Sequence, residues 1–167
     1  LGRGMSGPGN KDWKKLIRLG KYLVGRERYI VKYDYQGSVK CLDCWTDTDY
    51  AGCRDTRKST SGGLIRFGKH LLRGRSSTKK VLALSSGEAE FYGMVRGAAE
   101  SMGTQSLLRD MEVDVKIRIR ENSSAPKGLS ERTGLGNVRH IEVNQLWMQE
   151  KVREGRIQLV KVEGTEN

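Results

Sequence analysis

The sequence predicts an α/β domain in which helices pack on a mixed sheet. Short β-type runs bounded by turn signals precede and follow one long helical pattern. That pattern opens with a capping signal at Leu84-Ser85-Ser86-Gly87-Glu88. The 167 residues give room for one domain, or one domain with a short appendage, and 36% apolar with 31% charged residues is a folding composition.

The elements follow in chain order. Residues 1–10 carry four glycines and a proline and read as a flexible lead-in. Asp12–Leu23 reads as a basic amphipathic helix with Trp13, Leu16, Ile17, Leu19, Tyr22 and Leu23 as its apolar positions, ended by Gly25. Tyr29–Tyr35 and Ser38–Thr46 read as a hairpin around Gln36-Gly37. Gly62–Phe67 and Leu71–Arg75 read as another around Gly68-Lys69. Ser85 caps a helix running to about Met111. Its apolar stripe is Phe91, Met94, Val95, Ala98 and Met102; Glu90, Gly93 and Gly97 share a second face, where missing side chains admit another backbone. Val115–Arg120 alternates as a strand, and Ser123–Leu129 is a helical piece interrupted by Pro126. Thr133–Asn137 is a Gly-rich loop, Arg139–Glu154 a helix ended by Gly155, and Ile157–Val162 a last strand.

Several classes fall away. No run approaches the ~18 apolar residues of a membrane helix, and the start lacks the pattern of a signal peptide. Three cysteines, Cys41, Cys44 and Cys53, without a secretory signal fit a reducing intracellular setting. The chain begins at Leu1 and reads as a segment of something longer. Its net charge of +11 calls for an anionic partner. The charge is uneven: residues 1–40 carry +7, 41–53 carry −3, 54–80 carry +8 and 81–167 carry −1. An acidic knot of Asp43, Asp47 and Asp49 between basic stretches suits a protein that grips phosphates around a divalent metal; solvated basic faces are the plainer alternative.

Three acids sit at element ends: Asp47 after the strand Ser38–Thr46, Glu90 early in the long helix, and Glu121 after the strand Val115–Arg120. Carboxylates at neighbouring strand ends, with one from an adjacent helix, can converge where α/β sheets hold their ligands. Hard oxygen donors select Mg²⁺ or Mn²⁺ over zinc. Two such ions ~4 Å apart serve phosphodiester hydrolysis.

Asp47-Thr48-Asp49-Tyr50-Ala51-Gly52, then Arg57-Lys58-Ser59-Thr60-Ser61-Gly62, then Leu84-Ser85-Ser86-Gly87-Glu88-Ala89-Glu90-Phe91 resemble, in order and spacing, the ribonuclease H domain of copia-type LTR retrotransposon polyproteins. Arg139-His140-Ile141-Glu142 with Glu150-Lys151-Val152 is similar to that family's last helix. The resemblance covers residues 11 to the end. It implies a ribonuclease H-like fold, a mixed five-stranded sheet flanked by helices. It implies hydrolysis of the RNA strand of RNA–DNA hybrids with two Mg²⁺ ions (Mn²⁺ as a substitute) during reverse transcription. Asp47, Glu90 and Glu121 are then the catalytic and metal-holding residues, with His140 and Glu142 as accessory candidates. The implied partners are the hybrid and the rest of the polyprotein, including its reverse transcriptase, with no membrane. The implied location is the cytoplasm and retrotransposon particles. Residues 1–28 become a basic connector from the end of the polymerase region, and 29–167 the ribonuclease H-like domain, stopping before the family's final carboxylate segment.

Glu121 stands where the family has aspartate, and its extra methylene moves the carboxylate by ~1.5 Å. A ~1 Å misplacement of a catalytic group can cost ~100-fold. Lys116, Arg118 and Arg120 charge one face of a strand expected to be apolar on both, so either helices leave that face open or this copy has drifted. A degenerate nucleic-acid-binding module is therefore the alternative to an active nuclease.

Arg57, Lys58, Ser59, Thr60 and Ser61 are candidate phosphate contacts, or a polar turn before a hairpin. Cys41, Cys44, Cys53 and His70 could be drawn as a zinc site, but Cys41 and Cys44 point to opposite faces of one strand. Glu142 either reaches the metal edge or complements a helix N-terminus. Trp13, Trp45 and Trp147 read as core anchors.

Overall fold

The computed structural model describes residues 5–26, 28, 30–53, 55–122, 128 and 142–162, and the chain divides into two compact units, Leu1–Tyr35 and Gln36–Asn167. In the first unit, α1 (Asn10–Leu23) starts where Gly9 N donates to the Asp12 carboxylate at 3.2 Å, and Lys15 donates to the same carboxylate at 2.9 Å. None of its residues is buried. It ends before Gly25, whose φ of 76° is a conformation that glycine adopts without strain.

The second unit contains β1 (Cys41–Asp49), β2 (Thr60–Phe67), β3 (His70–Thr78), α2 (Ser86–Asp110), β4 (Lys116–Glu121), α3 (Glu142–Arg153) and β5 (Ile157–Lys161). The five strands lie in the order β3-β2-β1-β4-β5. β1–β2 and β2–β3 are antiparallel; β1–β4 and β4–β5 are parallel. The sheet is mixed and five-stranded, as expected.

The expectation of a first hairpin fails. Residues 30–40 form no strand, so no hairpin turns at Gln36-Gly37. Tyr, Ile and Val favour strands only where a neighbour supplies a ladder and a packing surface. Gln36 instead clamps the other hairpin. Its Nε2 donates to Phe67 O at 3.0 Å, and Lys69 N donates to its Oε1 at 2.9 Å. That turn needs Gly68, with φ 58°, and a Cβ there would meet Gln36 Oε1 at 2.3 Å.

The core lies between one sheet face and the helices. Leu42, Cys44, Ile65, Ile117, Ile119 and Ile157 meet Phe91, Met94, Ala98, Leu108 and Met148. The predicted stripe of α2 is thus buried at Phe91, Met94 and Ala98. Ser85 Oγ accepts from Glu88 N at 3.2 Å, and the Glu88 carboxylate reaches back to Leu84 N at 2.8 Å. The glycine face of α2 sits against β1. A Cβ on Gly93 would meet Thr48 Oγ1 at 2.5 Å, and one on Gly97 would meet Thr46 Cγ2 at 2.5 Å. Among the described residues, no helix is long and apolar enough to cross a membrane.

Candidate active site

The close approach of α2 sets the site's frame. Gly97 lies over Cys44 and Thr46, and Gly93 over Thr48, so α2 runs antiparallel to β1. Glu90, one turn before Gly93, therefore lies toward the carboxyl end of β1, half-buried. β4 runs parallel to β1 with Trp45 opposite Arg120, and it extends to Glu121, one residue further than expected. Glu121 is 4% exposed, and Thr46 Oγ1 donates to its Oε2 at 2.5 Å. Thr46, which the sequence did not single out, thus holds a candidate carboxylate across 75 residues of chain.

Asp47 follows Thr46 and is exposed. Side chains alternate along a strand, so Asp47 shares the face of Asp43 and Trp45, while Thr46 and Glu121 share the α2 face. Asp49 folds back over Gly52, where a Cβ would come within 1.6 Å of Asp49 Oδ2. The oxygen donors suit Mg²⁺ or Mn²⁺, but the arrangement does not gather them. Among the described residues no three His, Cys, Asp or Glu side chains form a group able to hold a metal ion. As placed, Asp47 lies on the other face, and Glu121 is engaged by Thr46.

The candidate phosphate contacts divide in two. Ser59 and Ser61 are each 1% exposed. Ser59 Oγ accepts from Ala51 N at 3.1 Å, closing the loop between β1 and β2, and Ser61 Oγ shares a 2.9 Å hydrogen bond with Thr48 Oγ1. Both hydroxyls are spent on the fold, a correction to their reading as phosphate contacts. Arg57 is exposed, and Lys58 and Thr60 are half-exposed. His140 and the Glu142 side chain lie outside the described residues, although Glu142 opens α3.

A second cationic group stands where β3 meets α2. Arg75 Nε and Glu100 Oε2 are 2.8 Å apart, and Arg75 also donates to Gly93 O at 3.3 Å. Lys79 Nζ stands 5.5 Å from the centre of the Tyr92 ring. Burial, then Arg75 and Arg96, push the Lys79 amine down to about 8. Burial, then Glu88, pushes the Tyr92 phenol up to about 12. Cys44 is buried on the α2 face, and burial pushes its thiol up to about 11. Trp45 is half-buried on the face away from α2, where Arg66 and Arg120 stand over its ring, rather than in the core.

No family model matches the chain. It is 27% identical over 169 residues to the retrovirus-related Pol polyprotein from transposon TNT 1-94 of Nicotiana tabacum, covering 100% of this chain and 13% of that one. It is 24% identical over 165 residues to the corresponding polyprotein from transposon RE2 of Arabidopsis thaliana, covering 97% of this chain and 11% of that one. Along nearly its whole length the chain is similar to Pol polyproteins of plant transposons. It spans about a tenth of the length of these curated relatives. A shorter match, 30% identical over 97 residues, links 58% of this chain to 68% of the secreted RxLR effector protein 161 of Plasmopara viticola. Among solved structures, the LC11 RNase H1 isolated from compost superposes with a TM-score of 0.59 at 13% identity, covering 77% of this chain and 88% of that one. The same enzyme in complex with RNA/DNA hybrid gives 0.52 at 17% identity, covering 75% and 88%. The fold of this Pol-related chain is that of ribonuclease H.

Proposed function

We propose that the unit of residues 36–167 is a ribonuclease H region of a transposon Pol polyprotein and that it hydrolyses the RNA strand of RNA–DNA hybrids. The observation that carries this reading is positional. The β3-β2-β1-β4-β5 sheet puts Asp47 near the end of β1 and Glu121 at the end of β4, and α2 carries Glu90 toward the same edge. The solved complex of a ribonuclease H of this fold with RNA/DNA hybrid supports the substrate class. Arg57, Lys58 and Thr60, on the approach to β2, are the backbone contacts in this reading. The partners are the hybrid and the remaining polyprotein, and the location is the cytoplasm and retrotransposon particles.

One observation favours a second reading, a hybrid-holding module that does not cut. The described carboxylates form no metal-holding group, and Thr46 engages Glu121. Cleavage of a labelled hybrid, with and without Mg²⁺, alongside Asp47→Asn and Glu121→Asp, separates the two. Under the nuclease reading, cleavage depends on Mg²⁺ and is lost in Asp47→Asn. Shortening Glu121 by ~1.5 Å withdraws it from Thr46 and raises the rate. Tight hybrid binding with no cleavage by any variant selects the second reading. No binding and no cleavage refutes both.

A further inference from the structure

Three contacts between β3 and α2 form a ladder. Arg75 and Ser77 alternate onto one side of β3, and Lys79 continues the row, its backbone N donating to Ser59 O at 2.8 Å. Tyr92, Arg96 and Glu100, four residues apart, share one face of α2. The two rows run antiparallel. Arg75 Nε and Glu100 Oε2 are 2.8 Å apart, Arg96 Nη1 donates to Ser77 Oγ at 2.7 Å, and Lys79 Nζ stands 5.5 Å from the centre of the Tyr92 ring.

The charges of this ladder do not balance. One carboxylate, Glu100, serves both guanidinium groups, with Arg96 Nε 3.1 Å from its Oε1. Glu88, one turn before Tyr92, turns its carboxylate to Leu84 N at 2.8 Å. Among the described residues, Lys79 forms no ion pair, and its amine is held down by burial and by the charges of Arg75 and Arg96 with no carboxylate opposing them. Three cations against one carboxylate leave two positive charges at the Arg96–Lys79 end, one of them partly desolvated. Such a group is stabilised by a bound anion.

We propose that this end of the ladder is a phosphomonoester site, in which Lys79 Nζ, Arg96 and the Ser77 hydroxyl hold the phosphate oxygens. The inference goes beyond the ribonuclease H reading and needs only β3 and α2. Arg75, with its side chain 9% exposed, supplies charge and no contact. Arg96, with its side chain 49% exposed, keeps donors beyond those that Ser77 and Glu100 engage. Ser77 Oγ accepts from Arg96, which leaves its O–H to donate to a ligand. Neighbouring rungs lie ~6.6 Å apart along the strand, a gap that one phosphate spans with a hydrogen bond on each side. A phosphomonoester carries a charge of about −1.5 to −2, which matches the two uncompensated cations; a backbone phosphodiester or a carboxylate carries one. Free phosphate and the phosphorylated end of a nucleic-acid strand both present this group.

The test uses the full chain. Inorganic phosphate, with acetate as the control, is titrated calorimetrically at fixed ionic strength into the parent, Arg96→Gln and Lys79→Met, and circular dichroism reports that each variant is folded. Loss of one charge-assisted contact should weaken phosphate binding ~10-fold or more. A fluorescent RNA–DNA hybrid with ends capped by phosphate or by hydroxyl distinguishes the sources. A preference for phosphate ends that both variants lose assigns the site to a strand terminus; equal affinity for the two hybrids, with phosphate binding lost in the variants, assigns it to free phosphate. Absent phosphate binding, or equal binding by parent and Arg96→Gln, overturns the proposal. Acetate binding as tight as that of phosphate, with the same losses, overturns it too. Cleavage of the hybrid by these samples bears on the ribonuclease H reading alone.

Discussion

Glu100→Gln tests how α2 is fastened to the sheet. Arg75 and Glu100 have side chains 9% and 15% exposed, with Nε and Oε2 2.8 Å apart. The guanidinium lies over Gly63, where a Cβ would come within 2.9 Å of Arg75 Nε. Among the described residues, Arg75 Nη1 is buried without an acceptor. The pair is therefore the main neutralisation of a nearly buried cation. Glutamine keeps the shape but removes the charge, and stranding one partner of a buried pair costs ~3 kcal/mol or more. For a unit of this size that is a fall in Tm of about 10 °C. The exposed Arg96–Glu100 pair at 3.1 Å adds little. Urea denaturation should show a lower midpoint at unchanged slope. The double variant Arg75→Met/Glu100→Met should recover most of the loss, because removing both charges removes the desolvation cost as well. A loss below ~0.5 kcal/mol in Glu100→Gln, the size of an ordinary surface substitution, or a double variant as weak as the single, would refute the reasoning.

Gly97→Val should cost ~1–3 kcal/mol by overpacking, since a Cβ there already falls 2.5 Å from Thr46 Cγ2; thermal melting reads it, and an unchanged Tm means α2 does not lie this close to β1. Lys79 has its amine depressed to about 8 from 10.5, so the unfolded chain binds the extra proton between those values. Stability should accordingly gain a rising contribution from about pH 8 to pH 10.5 that Lys79→Met abolishes, and identical pH profiles for parent and variant count against the burial of that amine. Cys44, buried with its thiol raised to about 11, should resist iodoacetamide at pH 8 while Cys41 and Cys53 are alkylated; mass spectrometry showing equal labelling would contradict its place in the core.

The sequence alone determined what depends on near neighbours. Ser85 as a cap, the buried stripe of α2, the glycine face, the alternation of β4 and the turn at Gly68-Lys69 are all local patterns, set by side-chain period or backbone freedom. The three candidate carboxylates were legible as residues at element ends. How they face one another was not. The bond from Thr46 to Glu121 and the bonds of Arg118 and Arg120 to Asp43 join residues 75 and 77 apart in the chain. They depend on the register of β4 against β1, and a slip of one residue would turn every side chain of β4 to the other face. The same register decides that Glu121 faces α2 while Asp47 does not. The tertiary structure also turned residues 30–40 from an expected strand into coil that includes the clamp residue Gln36, because a strand exists only where a neighbour completes its hydrogen bonds. Local pattern placed the elements; the pairing of distant strands decided which charges meet, because a sequence states what each residue is but not which residue it will face.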